Sequence, residues 1–161
     1  MNLRENEYLG TKLKTKENCL FHLSYTFKFK KEKMHTRVFF MSEMISLGWQ
    51  AFATFGNHHP GGWATKDAIF CVKSVYDLKN ESFLVSYLAH EGRHFSDLNR
   101  FPKLKNTDLE YRAKLTELSI ADKTLLNLIE FFIVNAYYRS ANGHSAANYY
   151  LIGICRRNYL V

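Results

Sequence analysis

The sequence is poor in the residues that announce a special architecture. Only three cysteines, Cys19, Cys71 and Cys155, occur in 161 residues. An odd number at wide spacing builds neither a disulfide framework nor a Cys-x-x-Cys metal knuckle, so they are read as buried thiols. Cys71 has no base placed near it in the sequence and is not read as a nucleophile. Two prolines and no Ser/Gly tract exclude a long disordered linker, and the absence of any internal repeat excludes a solenoid. No run of 18 apolar residues exists; the nearest, Leu125 to Tyr138, is cut by Asn127, Glu130 and Asn135, which excludes a spanning helix. The first twenty residues carry Arg4, Glu5, Glu7, Lys12, Lys14 and Lys16 with no apolar stretch between them. No secretory signal is therefore visible, and the chain is expected either in the cytoplasm or exported by a different route.

What is present is a globular composition. A hydrophobic fraction of 47% with 16% aromatics supports one sizeable core, so residues 1–161 are read as a single domain, with 1–19 as a peripheral basic extension. Residues 1 to 40 hold nine Lys/Arg against four acids, most of the chain's net charge of +7. The densest patch, Lys28-Phe29-Lys30-Lys31-Glu32-Lys33, is the kind that attracts phosphates. No nucleic-acid recognition motif accompanies it, so it is read as a solvated strand end and turn, with no specific nucleic-acid partner.

Residues 20 to 30 alternate, with Phe21, Leu23, Tyr25, Phe27 and Phe29 on one face and His22, Ser24, Thr26, Lys28 and Lys30 on the other, the pattern of a half-buried strand. Arg37 to Met41, Trp49 to Phe55 and Ala68 to Val72 are further β-prone runs. Ser46-Leu47-Gly48 separates the first two, and Asn57-His58-His59-Pro60-Gly61-Gly62 reads as a loop. Ser82 to Leu98 reads as one helix, with Asn80 and Ser82 as capping side chains and Glu81 suited to the positive end of its dipole. Phe101-Pro102 stops it. A second helix is expected from Thr107 to about residue 121, opened by the capping box Thr107-Asp108-Leu109-Glu110, and another from about 123. Ser140 to Gly143 forms a loop and Ser145 to Asn158 returns to a helical pattern. Strands first and helices afterwards predict an α+β fold, a mostly antiparallel N-terminal sheet followed by packed helices.

Within the Ser82–Leu98 helix lies His90-Glu91-Gly92-Arg93-His94, an H-E-x-x-H motif. Two His four apart on a helix share one face, so both imidazoles reach one Zn²⁺ while the Glu between them addresses the activated water. At 100° per residue, Leu98, Leu84, Phe95, Leu88, Gly92 and Val85 form an apolar arc, and His90 and His94 border it beside Phe83 and Tyr87. Glu91 falls between the histidines and that arc, partly dried, where a carboxylate's pKa rises toward general-base duty. The competing account is a stacked, hydrogen-bonded His pair at the edge of a core, with no metal. A catalytic zinc needs a third protein ligand, and two glutamates on the next helix are available. Glu110 and Glu117 are seven apart and project about 20° from one another on a face shared with Ala113 and Ala121. Alternatively, Glu110 only closes the capping box and Lys114 bridges both carboxylates as a surface ion network.

His90-Glu91-x-x-His94 followed on the next helix by Glu110-x-x-Ala113 resembles the glutamate-liganded zincins, the gluzincin class of metallopeptidases. Gly61-Gly62-Trp63-Ala64-Thr65, Ser86-Tyr87-Leu88-Ala89-His90-Glu91, Leu109-Glu110-Tyr111-Arg112-Ala113-Lys114-Leu115 and His144-Ser145-Ala146-Ala147-Asn148-Tyr149 are similar to segments of small bacterial zincin-like proteins, over about residues 40 to 150. The resemblance implies a zincin-like fold, zinc held by His90, His94 and Glu110 with Glu117 as the alternate, and Glu91 as general base and proton shuttle. It also implies a downstream oxyanion-stabilising residue, for which His144 and Tyr149 are the candidates, and an edge strand that pairs with extended substrate, either Gly61–Thr65 or Ala68–Val72. The class follows its ligand Glu with an acid one turn later that steadies a zinc-bound His. Here that position is Lys114, and Asp97 is expected to take the role. The function so implied is a zinc-dependent peptidase acting on peptides or proteins. Its rivals are a zinc hydrolase of a non-peptide amide and a non-enzymatic basic binding module with structural zinc or none.

Overall fold

The computed structural model describes residues 9–11, 21–29, 32–42, 49–57 and 61–159. Most of the 1–19 extension, Cys19, the centre of the basic patch at Lys30 and Lys31, Ser46-Leu47-Gly48 and the loop residues His58 and His59 lie outside the described residues. Strands precede helices, so the fold class is α+β. By their contacts the residues group into two compact units, Met1–Leu78 and Lys79–Val161.

The first unit carries β1 (Leu9–Thr11), β2 (Phe21–Phe29), β3 (Glu32–Met41), α1 (Trp49–Ala53), β4 (Gly62–Ala64) and β5 (Ile69–Val72). The strands form one five-stranded sheet in the order β1-β2-β3-β5-β4. Among the described strands only β3 and β5 run parallel, and α1 lies in the crossover that a parallel pair requires. The alternation in β2 sets the register: Phe21 pairs with Phe40 and Leu23 with Val38, and both β3 partners are wholly buried. Ser24 pairs instead with the exposed Arg37. A one-residue slip would exchange which β2 residues stand opposite the buried positions of β3, which is why the pairing is specified. Cys71 is buried and in no disulfide, as expected.

The segment Trp49–Phe55 is not a strand. Gln50, Ala51 and Ala53 favour helix, and Trp49 and Phe52, three apart, stack at 5.1 Å, a contact that helical spacing supplies. Phe55 and Gly56 then adopt φ of 51° and 82° and end the turn. Both segments ahead of the motif helix are strands: β5 is interior, and β4 is an edge of the sheet.

The second unit is helical. A π-wound stretch, Phe83–Ala89, runs straight into α2 (His90–Arg100), followed by α3 (Asn106–Ile120), α4 (Leu125–Val134) and α5 (Gly143–Tyr159). Asn80 Oδ1 accepts the Ser82 amide at 2.9 Å. The Glu81 carboxylate accepts the amides of Asp122 at 2.6 Å and Lys123 at 3.0 Å, pinning the first helix to the turn before α4. The capping box at Thr107 does not form: α3 begins one residue earlier, its first amides bond to the Lys105 carbonyl, and Glu110 is used elsewhere. Val85, Leu128, Phe132 and Leu151 make the apolar core, with Tyr111 and Leu118 packed against it. Among the described residues no helix is long and apolar enough to cross a membrane.

Candidate metal centre

The π-winding before His90 changes which residues face inward, because each residue of a π-helix advances by less than the 100° of an α-helix. Phe83 and Tyr87 are buried and stack at 5.6 Å, whereas Leu84 is only half-buried. Along α2 the buried face is largely polar: His90, Gly92, Arg93, Ser96 and Asp97. Buried polar groups require partners, and α3 supplies them. Arg93 Nε donates to Thr116 Oγ1 at 3.0 Å, and Arg112 donates from Nε and Nη2 to the two oxygens of Asp97 at 2.6 and 3.0 Å. These bonds clamp α2 to α3 with the histidines of one facing the glutamates of the other.

At that facing point His90 Nε2 and His94 Nε2 lie 3.0 Å apart. Glu110 completes the group, its Oε2 at 3.3 Å from His90 Nε2 and its Oε1 at 3.4 Å from His94 Nε2. The three side chains each offer a ligand atom, all within 4.8 Å of one another, and could hold one metal ion. Behind them, His90 Nδ1 donates to Glu117 Oε1 at 2.7 Å, which leaves Nε2 as the nitrogen with a lone pair facing the group. The structure thus separates the two glutamates: Glu110 stands with the imidazole Nε2 atoms, and Glu117 stands behind His90. Glu110 Oε2 is buried and faces His90 Nε2 at 3.3 Å and His144 Nδ1 at 2.7 Å without a well-directed hydrogen bond from either, so it faces the group with a lone pair that a cation could take up. Two imidazole nitrogens and one carboxylate form a borderline donor set suited to a divalent transition ion.

The electrostatics follow from this crowding. Burial disfavours the charged form of His90, but hydrogen bonds to Glu110 and Glu117, and the charges of both, outweigh it and push its pKa up to about 9. Burial would raise Glu110, yet His144, His90 and His94 hold it well below the usual carboxylate range. Glu91 is raised above its ordinary value by burial, against the pull of His90 and His94. It therefore lies within the field of the same group, half-buried, as its placement on the helix predicts.

Asp97 is not the group beside a histidine: its oxygens are taken by Arg112, with Arg93 at 3.9 Å, and it is Glu117 on α3 that bonds to His90. Lys114 does not bridge the glutamates either. Its ammonium sits over the Phe132 ring at 4.5 Å with the side chain buried, and burial lowers its pKa against the influence of Glu117 and Glu110. His144, at the start of α5, is brought to the group, its Nδ1 at 2.7 Å from Glu110 Oε2 and its ring stacked on His90 at 5.8 Å. Over half of its side chain remains exposed. Tyr149 turns instead to Tyr138, at 5.0 Å. Sequence reading missed Arg93, Arg112 and Thr116. The only signal for them is the repeat of charged residues at His90, Arg93 and Asp97 on one helical face. No protein-family model, no curated protein and no solved structure matches this chain.

Proposed function

We propose that the chain is a zinc-dependent peptidase of the gluzincin kind, with His90, His94 and Glu110 holding the ion and Glu91 acting as general base. The observation that carries this reading is the convergence of three ligand atoms within 4.8 Å beside a half-buried glutamate that belongs to the same H-E-x-x-H turn. Three protein ligands leave a tetrahedral ion with one open position, the arrangement of catalytic rather than structural zinc. When bound, zinc supplies a Lewis acid that acidifies a water and polarises a carbonyl.

The chain's own residues perform the rest. Glu91, its proton affinity raised by burial, takes the proton from the attacking water and returns it to the departing amine. Glu117 fixes the tautomer and orientation of His90 through the 2.7 Å bond. His144 has one nitrogen against Glu110 and most of its ring in solvent, so it can donate a hydrogen bond to an oxyanion that forms beside the carboxylate. The experiment is metal analysis of purified and zinc-reconstituted protein, followed by hydrolysis of a mixed peptide library with and without chelator. About one zinc per chain with chelator-sensitive cleavage is expected. Lack of zinc after reconstitution would remove the reading, and stoichiometric zinc with no turnover would favour the binding module with structural zinc.

A further inference from the structure

The short helix α1 turns its largest side chains into solvent. Trp49, Phe52 and Phe55 follow one another at three-residue spacing and are 78, 72 and 96% exposed, whereas Ala51 between them is buried. Trp49 and Phe52 stack on each other at 5.1 Å, so one side of the helix is a ridge of aromatic surface. Large apolar side chains grouped in this way mark a surface that meets something apolar.

Phe55 is also held where glycine sits without strain. Gly56 N donates to Ala51 O at 2.7 Å and Phe55 N to Phe52 O at 3.3 Å, the paired bonds of a Schellman helix end, whose left-handed position glycine adopts freely. Here a phenylalanine takes that position at φ 51°, a conformation unfavourable for a bulky side chain. Burial does not offset the strain, because the ring lies almost wholly in solvent. A backbone outlier of this kind points to a use outside the folded chain.

Charge selects the occupant. Residues 44–65, which contain α1, hold no Asp, Glu, Lys or Arg, so the ridge itself offers no ion pair. Around that uncharged stretch residues 1–78 hold eleven Lys/Arg against seven acids, and the whole chain carries +7. A second copy sets like charge against like charge. An anionic bilayer matches both features at once: aromatic side chains enter the boundary between headgroups and acyl chains, and basic residues outside them meet the lipid phosphates. We propose that α1 is a peripheral membrane anchor, with Trp49, Phe52 and Phe55 entering an anionic bilayer to a depth of about 5–10 Å. The helix lies on the lipid and spans nothing, being five residues long. The anchor goes beyond the peptidase reading and needs neither metal nor hydrolysis.

Sedimentation of the full chain with sucrose-loaded vesicles tests this, in about 0.1 M salt. Vesicles of phosphatidylcholine with about 30% phosphatidylglycerol are expected to bind it about tenfold or more tightly than phosphatidylcholine alone, the effect of a few basic residues at a negative surface. Phe55→Gly removes the ring and relieves the left-handed strain. Its melting temperature should therefore equal or exceed that of the parent, while binding to the anionic vesicles falls about fivefold or more. Trp49→Ala should lose a similar amount. Trp49 and Trp63 are the two tryptophans. In Trp63→Phe protein the emission of Trp49 should move to shorter wavelength, and its quenching by acrylamide should fall, when anionic vesicles are added, a readout on the ridge itself. No binding to either vesicle, equal binding to both, or binding that Phe55→Gly and Trp49→Ala leave unchanged would overturn the inference, the last by showing that charge alone adheres. Concentration-dependent dimerisation in the ultracentrifuge that Phe55→Gly abolishes would overturn it as well, by showing that a second copy covers the ridge.

Discussion

Three side chains at the centre differ in what they can lose. Glu91 contributes only a carboxylate that accepts and returns a proton, so Glu91→Gln keeps size and helix propensity but removes the base. It is expected to retain about one zinc per chain and lose at least 10²-fold in kcat, on the order of a general-base deletion; near-normal turnover in that variant would end the assignment. Glu110 and Glu117 make the second comparison. Glu110 stands 3.3 and 3.4 Å from the two Nε2 atoms, whereas Glu117 reaches only His90 Nδ1. Glu117→Gln should therefore cost about 10- to 100-fold in zinc affinity, typical of a group that orients a ligand, and Glu110→Gln considerably more. Competition against a chromogenic chelator ranks the two, and the reverse order would exchange their roles.

At the scale of elements, the site depends on how α2 and α3 are held together. Asp97 is wholly buried and takes both nitrogens of the Arg112 fork, so Asp97→Ala removes the carboxylate that Arg112 bonds and that Arg93 faces at 3.9 Å. A cost of roughly 3 kcal/mol is expected, near the lower end for a broken buried pair because Arg112 is itself partly in water. Urea midpoints measure it, and zinc affinity should fall in parallel as His94 and Glu110 lose registration; a change below about 0.5 kcal/mol would mean that the clamp is a surface pair. This clamp was illegible in the sequence, and the reason is physical. Periodicity scores apolar residues, and the buried face of α2 is built from Arg93, Ser96 and Asp97, whose burial is made tolerable only by partners on another helix. The same limit applies to Glu117, whose role is a distance across two helices, and to the π-wound turn that moved Phe83 and Tyr87 inward. Where local pattern and burial coincide, sequence and structure agree: the alternation of β2 matches its register on β3, and the H-E-x-x-H spacing brings both imidazoles to one point. Trp49–Phe55 misled because aromatic residues favour strands in general, whereas two alanines, a glutamine and an i,i+3 ring stack decide this one.

For the molecule as a whole, the buried charges make metal binding and protonation compete. His90 has a pKa raised to about 9 by Glu110 and Glu117 in spite of burial. A basic group raised above its ordinary 6.5 favours the folded chain while it is protonated. That stabilisation is fully present below about pH 6.5 and is lost as pH rises through about 9. Zinc takes the same nitrogen only after the proton has left, so between those limits each pH unit should strengthen apparent affinity by about tenfold, with about one proton released per ion bound. The rise should flatten above about pH 9, once His90 is neutral beforehand. Two measurements check this without any substrate: chelator competition from pH 6.5 to 9.5, and calorimetry in buffers of different ionisation enthalpy, which counts the proton directly. Loss of the His90 proton also predicts that the chelated protein melts at lower temperature at pH 9 than at pH 7, and that saturating zinc removes that difference, because a zinc-bound His90 carries no proton at either pH. An affinity that stays flat from pH 7 to 9 would show that His90 is already neutral, and that the carboxylates of Glu110 and Glu117 do not face it in solution as they do in this fold.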